Sequence, residues 1–433
     1  MGVPYADPLW VSRGQSPYYQ DKHVALRKKI RSFVDENILP CCEEWEASGS
    51  IPQEVIAKFA ENGLMAASIF PLPSEYMDGI QLPGGISPSE WDEFCDLIVM
   101  DEIARCGYLG VIFGLACGNI IGLPPVIRFG TPEQKRKFIP DVLKGKTRFC
   151  LGVTEPDAGS DVAGITTTAT RRGNKYVING AKKWITNAIW ADYCTAAVRT
   201  GGPGQKGISA IVIPLASPGI TRKKLFNSGV SSSGSTYIEF DNVEVPIENL
   251  IGEENQGFRI IMSSITSHTI ILHGHFNHER IWLSCMALRL ARVCVEDSFI
   301  YASRRETFGK KLLSNQIIRA KVATVGRELE AGQAYLEQLV YMLAQSLRTT
   351  GVEPTGIGGL LASSKVLSCR VLEHAVREAQ QIMGGVGYSR GGRGGRVEQI
   401  SRDVRVMVVG GGSEEILTEL SLNQEMKALG SKL

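Results

Sequence analysis

Between Arg148 and about Asn249 the hydrophobic pattern changes period, and this change limits the possible folds more than any other feature of the chain. Here β-prone runs (Thr166 to Thr170, Tyr176 to Ile178, Ile208 to Ile213, Thr236 to Phe240) alternate with a period of two, divided by Gly, Asn and Pro turns. On either side the period is helical. From Asp21 to about Lys146 apolar residues recur every three to four positions: Val24, Leu26, Ile30, Phe33 and Val34, then Ile51 to Leu64, then Trp91 to Arg105. Pro71 to Pro88 breaks the pattern with Pro and Gly and is expected to be a long loop. Thr131-Pro132-Glu133-Gln134 predicts a helix start, with a hydroxyl N-cap, Pro at the first helical position and an acceptor three residues on. Helices resume from Gly257, interrupted by glycine clusters at 384–387, 391–395 and 410–412. The pattern alone predicts an α+β chain, with a β-rich stretch between two helical ones.

The 433 residues are 43% hydrophobic, enough for a sizeable core, and the net charge of +2 offers no general electrostatic case for nucleic acid or a membrane surface as partner. No apolar run is expected to span a bilayer, and the first residues lack the basic-then-apolar pattern of a signal peptide. The ten cysteines show no metal-ligand rhythm and read as reduced thiols. Ser431-Lys432-Leu433 reads as a peroxisomal address, the alternative being a chance match in an otherwise cytoplasmic protein.

Two segments carry chemistry. Val153-Thr154-Glu155-Pro156-Asp157-Ala158-Gly159-Ser160-Asp161 sets hydroxyls and small residues where backbone N–H groups can approach an anionic or carbonyl-rich ligand. Lys182-Lys183-Trp184-Ile185-Thr186-Asn187 pairs an indole with a hydroxyl, which share one face if the stretch is extended. A flat ring could then meet the indole while Thr186 donates to a heteroatom. Each segment alone could be a surface loop of a β domain. Together they resemble the flavin-binding middle domain of the acyl-CoA dehydrogenases, and the helical, β, helical order matches that three-domain fold over nearly the whole chain. The resemblance implies an N-terminal helical domain (1–146), a middle β domain (147–253) and a C-terminal helical domain (254–433) built as a four-helix bundle, with FAD as cofactor, an acyl-CoA substrate, a place in fatty acid metabolism, and an electron-transfer flavoprotein or O2 as electron acceptor.

It also implies a set of cofactor contacts. Leu151, Val153, Thr154, Ser160, Trp184, Ile185 and Thr186 come from the middle domain. Tyr301 to Gly309 resembles the family's Arg-x-x-Phe-Gly segment, so Arg305, whose planar guanidinium suits a diphosphate, is assigned to FAD together with Thr307, Phe308 and Gln316. Gln381 to Tyr388 matches a glycine-rich stretch that serves the ADP half of a neighbouring subunit's flavin, through Gln381, Gly384 and Gly385. That implies a homotetramer or homodimer. Ser413 and Glu415 fall on a further flavin-contacting register.

Dehydrogenating an acyl thioester requires a carboxylate beside the α-carbon and the flavin N5 beside the β-carbon. Many members carry that carboxylate in a C-terminal Tyr-Glu-Gly-Thr motif, whose glutamate position here is Gly411. The isovaleryl and long-chain branches place it instead in a Glu-Arg pair on the helix opening the C-terminal domain, which here is Glu279-Arg280. Glu279 is therefore the expected base, with Gly411 able to offer its main-chain N–H to the thioester oxygen. The competing reading of Glu279 is a first-turn acid stabilised by the helix dipole. A glutamate introduced at 411 is expected to restore part of the activity lost at 279. Ser160, Asn277, His278 and Arg280 map to substrate-contacting positions, or to phosphates of CoA or flavin, although Asn277 replaces the family's usual Asp.

The chain departs from the family in three further places. About eleven extra residues, roughly Ile265 to His275, precede the proposed base and read as a lid or a splicing artefact. They create His273-x-His275-x-x-His278, a metal-like spacing that the family's chemistry does not use. Arg390 to Arg396 resembles an Arg-Gly-Gly box; a flexible loop near the cofactor is the favoured reading, a nucleic-acid-associated flavoprotein the alternative. A flavin oxidase or oxygenase on the same fold is the other enzymatic alternative.

Overall fold

The computed structural model describes residues 2–262 and 275–430. Ser431 to Leu433 and all of the inserted segment except His275 lie outside the described residues. The longer helices are α1 (Asp21–Asn37), α2 (Glu93–Ala104), α3 (Leu109–Gly122), α4 (Pro132–Leu143), α5 (His275–Arg304), α6 (Gln316–Thr350), α7 (Ile357–Met383), α8 (Gly395–Val409) and α9 (Glu414–Ala428). Strands β1 (Phe149–Gly152), β2 (Thr168–Arg172), β3 (Lys175–Ile185), β4 (Tyr193–Arg199), β5 (Ile208–Pro214), β6 (Ile220–Lys224), β7 (Thr236–Pro246) and β8 (Leu250–Ile251) form one sheet in the order β6-β7-β3-β2-β4-β5-β8, with β1 paired in parallel to β4. The helical, β, helical succession expected from the sequence is what forms.

Two compact units are assembled from non-consecutive stretches, residues 1–43, 92–109 and 277–433 in the first and 44–91 and 110–276 in the second. The first is helical. Its α7 packs along α6, α8 and α9, while α2 lies on α1. Arg289 of α5 is buried and binds Asp101 of α2 by a 2.8 Å Nε bond. The second unit holds the sheet, whose inward residues Tyr176, Ile178, Ile213, Ile238, Phe240 and Val243 form one apolar core. Along β7 burial alternates almost residue by residue, as a strand with one wet face requires.

Helix α3 sets how the second unit presents its motifs. Gly114, Gly118 and Gly122, four apart, share one helix face. A Cβ on Gly118 would run into the Phe149 carbonyl, and one on Gly122 would lie 2.6 Å from the Cys150 carbonyl. The glycine seam lets α3 approach β1 at backbone distance. Together with the following turn it forms an apolar stretch, Leu109–Phe129, long enough to cross a bilayer, which corrects the expectation of none; 78% of its most apolar window is buried in the fold, as in a core helix. The helix start at Thr131 forms as expected, with Thr131 Oγ1 accepting from the Gln134 N–H and Gln134 Oε1 accepting from the Thr131 N–H.

Candidate active site

In the sheet unit, the segment from Val153 is pinned by a buried ion pair. Lys182 Nζ donates to Glu155 Oε1 at 2.8 Å and to the Val153 carbonyl at 2.9 Å, and neither charged side chain reaches solvent. Glu155 also accepts from the N–H groups of Thr166 (2.6 Å) and Thr167 (3.0 Å), so both its oxygens are used. Burial works to raise the Glu155 carboxyl, but Lys182 and these donors outweigh it and hold it at about 2. Thr154 receives a main-chain bond from Lys183, and beyond it the turn opens outward: a Cβ on Gly159 would meet nothing within 4 Å, and Ser160 is exposed. Leu151, Val153 and Thr154 are half-buried along the same edge.

The end of β3 corrects the expectation of an extended Trp184 to Thr186. A bulge falls between Lys182 and Ile185, and Trp184 takes φ 60, the left-handed region. The two side chains therefore do not share a face by strand alternation. Ile185 turns into the sheet core, so only its main chain can meet a ligand. The strain has a physical counterweight in Asn187, also left-handed at φ 62, whose Oδ1 accepts from the Gly118 N–H at 2.7 Å and whose Nδ2 donates to the carbonyls of Phe113 and Ser233. What results is an indole 51% exposed on a fixed backbone.

In the helical unit, strands β9 (Glu306–Thr307) and β10 (Lys310–Lys311) make a hairpin whose turn holds Phe308 at φ 49, fully exposed. Arg305 is exposed beside it and Gln316 opens α6. Gln381 and Gly384 line an open cleft of about 480 Å³ with Arg377, Tyr388, Ser401 and Val404, and a Cβ on Gly384 or Gly385 would meet no protein atom within 4 Å. The Arg-Gly-Gly segment contains a short turn, Gly392–Gly394, ahead of α8, where Gly394 abuts the Val386 carbonyl; Arg396, in the first turn of α8, ion-pairs with Asp297.

Glu279 lies one turn in from His275 and not at the helix start, which weakens the helix-dipole reading. Its Oε2 is buried with no hydrogen-bond partner among the described residues. Burial pushes this carboxyl up to about 7, against the pull of Arg280 and Lys365. Gly411, at φ 65, stands beside it: a Cβ there would lie 3.4 Å from Glu279 Oε1 and would run into Leu283 Cδ1. The two alternative base positions thus converge on one spot. The expectation that Gly411→Glu restores activity needs correcting, because any side chain at 411 carries a left-handed cost of about 1–2 kcal/mol and displaces Leu283. In a Glu279→Gln background, Gly411→Glu alone should stay within about threefold of the Gln variant, and only the further Leu283→Ala change should lift the rate. Single-turnover flavin reduction decides this, and full recovery without Leu283→Ala would refute the steric argument.

Asn277 Nδ2 donates to Glu353 at 2.7 Å, and its Oδ1 accepts from Arg280 Nη1 at 3.2 Å, so the two residues share one buried cluster. His278 bonds Asp96 on α2 at 3.1 Å and packs edge-on against Trp282 within the α2–α5 packing, while His273 of the metal-like spacing lies outside the described residues. Ser413 caps α9 without a side-chain bond, and Glu415 is exposed. The sequence reading missed Lys365. Glu155 and Lys182 stood within quoted motifs, where an acid and a base flanking a β pattern could have suggested their pairing.

Taken each by itself, the helical unit holds a buried carboxylate raised into the neutral range and the sheet unit holds an exposed indole on a fixed bulge, features of a flavin-dependent oxidoreductase. These residues fit a flavin: in the sheet unit the exposed Trp184 indole suits a flat ring, and in the helical unit the open glycine cleft at Gln381 and Gly384 admits the close approach of an ADP half. Comparison with known proteins makes this specific. Residues 20–146, 150–243 and 269–425 match the family models for the acyl-CoA dehydrogenase N-terminal, middle and C-terminal domains. The chain is 49% identical over 428 residues to acyl-CoA dehydrogenase AFT10-1 of Alternaria alternata, covering 99% of this chain and 96% of that protein. It is 42% identical to acyl-CoA dehydrogenase apdG of Emericella nidulans, covering 98% and 95%. A crystal structure of a probable acyl-CoA dehydrogenase from Mycobacterium abscessus superposes with a TM-score of 0.81 at 33% identity, covering 94% of this chain and all of that one. The chain belongs to the acyl-CoA dehydrogenase family, whose members are FAD flavoproteins, and is an oxidoreductase of that kind.

Proposed function

We propose that this protein carries out FAD-dependent α,β-dehydrogenation of an acyl-CoA thioester to the trans-2-enoyl thioester, with Glu279 as the base. The observation that carries this reading is the Glu279 oxygen, buried and without a hydrogen-bond partner among the described residues, on a carboxyl that burial pushes up to about 7, where a base is effective at neutral pH. Glu279 takes the α-proton. The Gly411 N–H, free of a side chain, is offered to the thioester oxygen as negative charge builds on it. Trp184 and Thr186 would contact the isoalloxazine, the Val153–Ser160 turn would supply donors, and Arg305 with Gln316 would hold the diphosphate. Bound FAD supplies the hydride acceptor. The exposed Phe308 and the open cleft at Gln381 and Gly384 support a homodimer or homotetramer in which a second copy completes each flavin site. Electron-transfer flavoprotein is the acceptor we favour, with O2 as the alternative.

Anaerobic bleaching of the flavin by a panel of acyl-CoA thioesters tests this reading. At least one thioester should bleach the enzyme and yield an enoyl product; bleaching by none would overturn it. Mixing the reduced enzyme with aerated buffer should reoxidise it slowly, whereas immediate reoxidation would favour O2 as acceptor.

A further inference from the structure

Lys365 of α7 is a buried lysine with no carboxylate within ion-pair distance among the described residues. Its Nζ donates to two main-chain carbonyls, Val408 at 2.9 Å and Gly412 at 2.9 Å. Burying an ammonium without a counter-charge costs several kcal/mol, far more than a neutral cap on the same carbonyls would. The end of α8 offsets part of that cost, since its last carbonyls carry the negative end of the helix dipole. One turn along α7, Cys369 Sγ caps the Met407 carbonyl, so a neutral side chain can do the capping work on this same helix pair. A lysine is therefore not explained by capping alone.

The two carbonyls that Lys365 holds lie on either side of Gly411. One ammonium thus closes the chain from 408 to 412 into a turn, with Gly411 at φ 65 and Gly412 at φ 104. That turn fixes the backbone at Gly411, where a Cβ would lie 3.4 Å from Glu279 Oε1. We propose that Lys365 is a positioning residue for the dehydrogenation: it orients the Gly411 N–H toward the thioester oxygen and places one positive charge near the Glu279 base. The proposal rests on the reading of Glu279 as base. The charged or titratable groups around the pair are Arg280 on α5, Lys365 and Cys369 on α7, and Glu414 at the start of α9. Consistent with this arrangement, Lys365 pulls the Glu279 carboxyl down against burial, while burial lowers the Lys365 ammonium itself.

The test uses the FAD-loaded enzyme with Lys365→Met, which removes both charge and donor, and Lys365→Gln, which keeps a donor without the charge. The protonation of Glu279 is read directly from its carboxyl infrared band, identified by its loss in Glu279→Gln, and separately from the acid limb of anaerobic flavin reduction against pH. Both Lys365 variants should move the band and the acid limb upward by roughly half a pH unit or more, because a nearby positive charge no longer favours the carboxylate. Above that limb, Lys365→Met should remain about tenfold or more below wild type at saturating substrate, while Lys365→Gln recovers part of the rate. If Lys365→Met fails to fold, Lys365→Gln decides the question through the band. Unchanged titration and unchanged saturating rate in either folded variant, with only a lower Tm, would reduce Lys365 to a structural cap and overturn the proposal. If Glu279→Gln itself retains the acid limb, the base reading fails instead, whatever the Lys365 variants do.

Discussion

Replacing Glu279 with Gln should leave FAD bound and the fold intact while slowing flavin reduction by on the order of 10²-fold or more, the usual cost of losing a positioned general base. The same substitution should stabilise the protein at alkaline pH. In the fold this carboxyl is raised from 4.5 to about 7 by burial, so the protonated form is the one the folded state accommodates. Its contribution is fully present below 4.5 and is lost as pH rises through about 7, because ionisation in the buried site is costly. The gap amounts to roughly 3 kcal/mol at full ionisation. Denaturation at pH 8.5 should therefore show Glu279→Gln more stable than wild type, with the difference vanishing near pH 4. Wild-type rates of flavin reduction in the variant would make Glu279 a core carboxyl and send the search for the base elsewhere. An absent stability difference with a collapsed rate would locate the effect in substrate contact instead.

Much of this fold was legible in the sequence because period is a direct reading of burial. Alternation in Thr236 to Phe240 and the spacing of Leu26, Ile30, Phe33 and Val34 report which residues face a core, and the corresponding strand and helix form where expected, although Val24 is exposed and His23 is buried in its place. The cap at Thr131 was legible for the same reason, since its signals lie within four residues. Longer-range determinants were not. Trp184 sits in a β-rich run, and nothing local indicates the bulge; the turn is set by Asn187, which is held by carbonyls of Phe113 and Ser233 far away in sequence. The bond of His278 to Asp96, far upstream in the chain, likewise has no local signal. Gly411 was recognised as a missing glutamate by its register, whereas its left-handed backbone and the tie to Lys365 depend on α7 lying against α8. The site chemistry was thus readable from motif order, and its fine geometry depended on tertiary partners that no spacing reveals.

The second large effect is expected at Lys182. Lysine and glutamate buried together hold the flavin-motif turn by three kinds of bond: the ion pair, the Lys182 bond to the Val153 carbonyl, and the Glu155 carboxylate on the Thr166 and Thr167 N–H groups. For Lys182 itself burial dominates and pulls its ammonium below the ordinary value, even with Glu155 opposing. Removing only the lysine leaves a carboxylate out of water without its counter-charge. Lys182→Met should therefore destabilise the protein by about 3–5 kcal/mol and release FAD, because the 153–155 backbone loses its anchor. Adding Glu155→Gln should return a large share of the stability, since the stranded charge goes while the amide still accepts from Thr166 or Thr167. It should not fully restore FAD binding, because the Val153 carbonyl remains untied. Acid titration supplies an independent check. Glu155 is held at about 2, below its ordinary 4.5, so its contribution is present above 4.5 and is lost as pH falls toward 2. The double variant should lose that acid-side decline. Urea denaturation of both single variants and the double, with flavin content measured on each, gives the coupling energy; equal stability of Lys182→Met and wild type, with FAD retained, would show that the pair neither anchors the turn nor supports the cofactor.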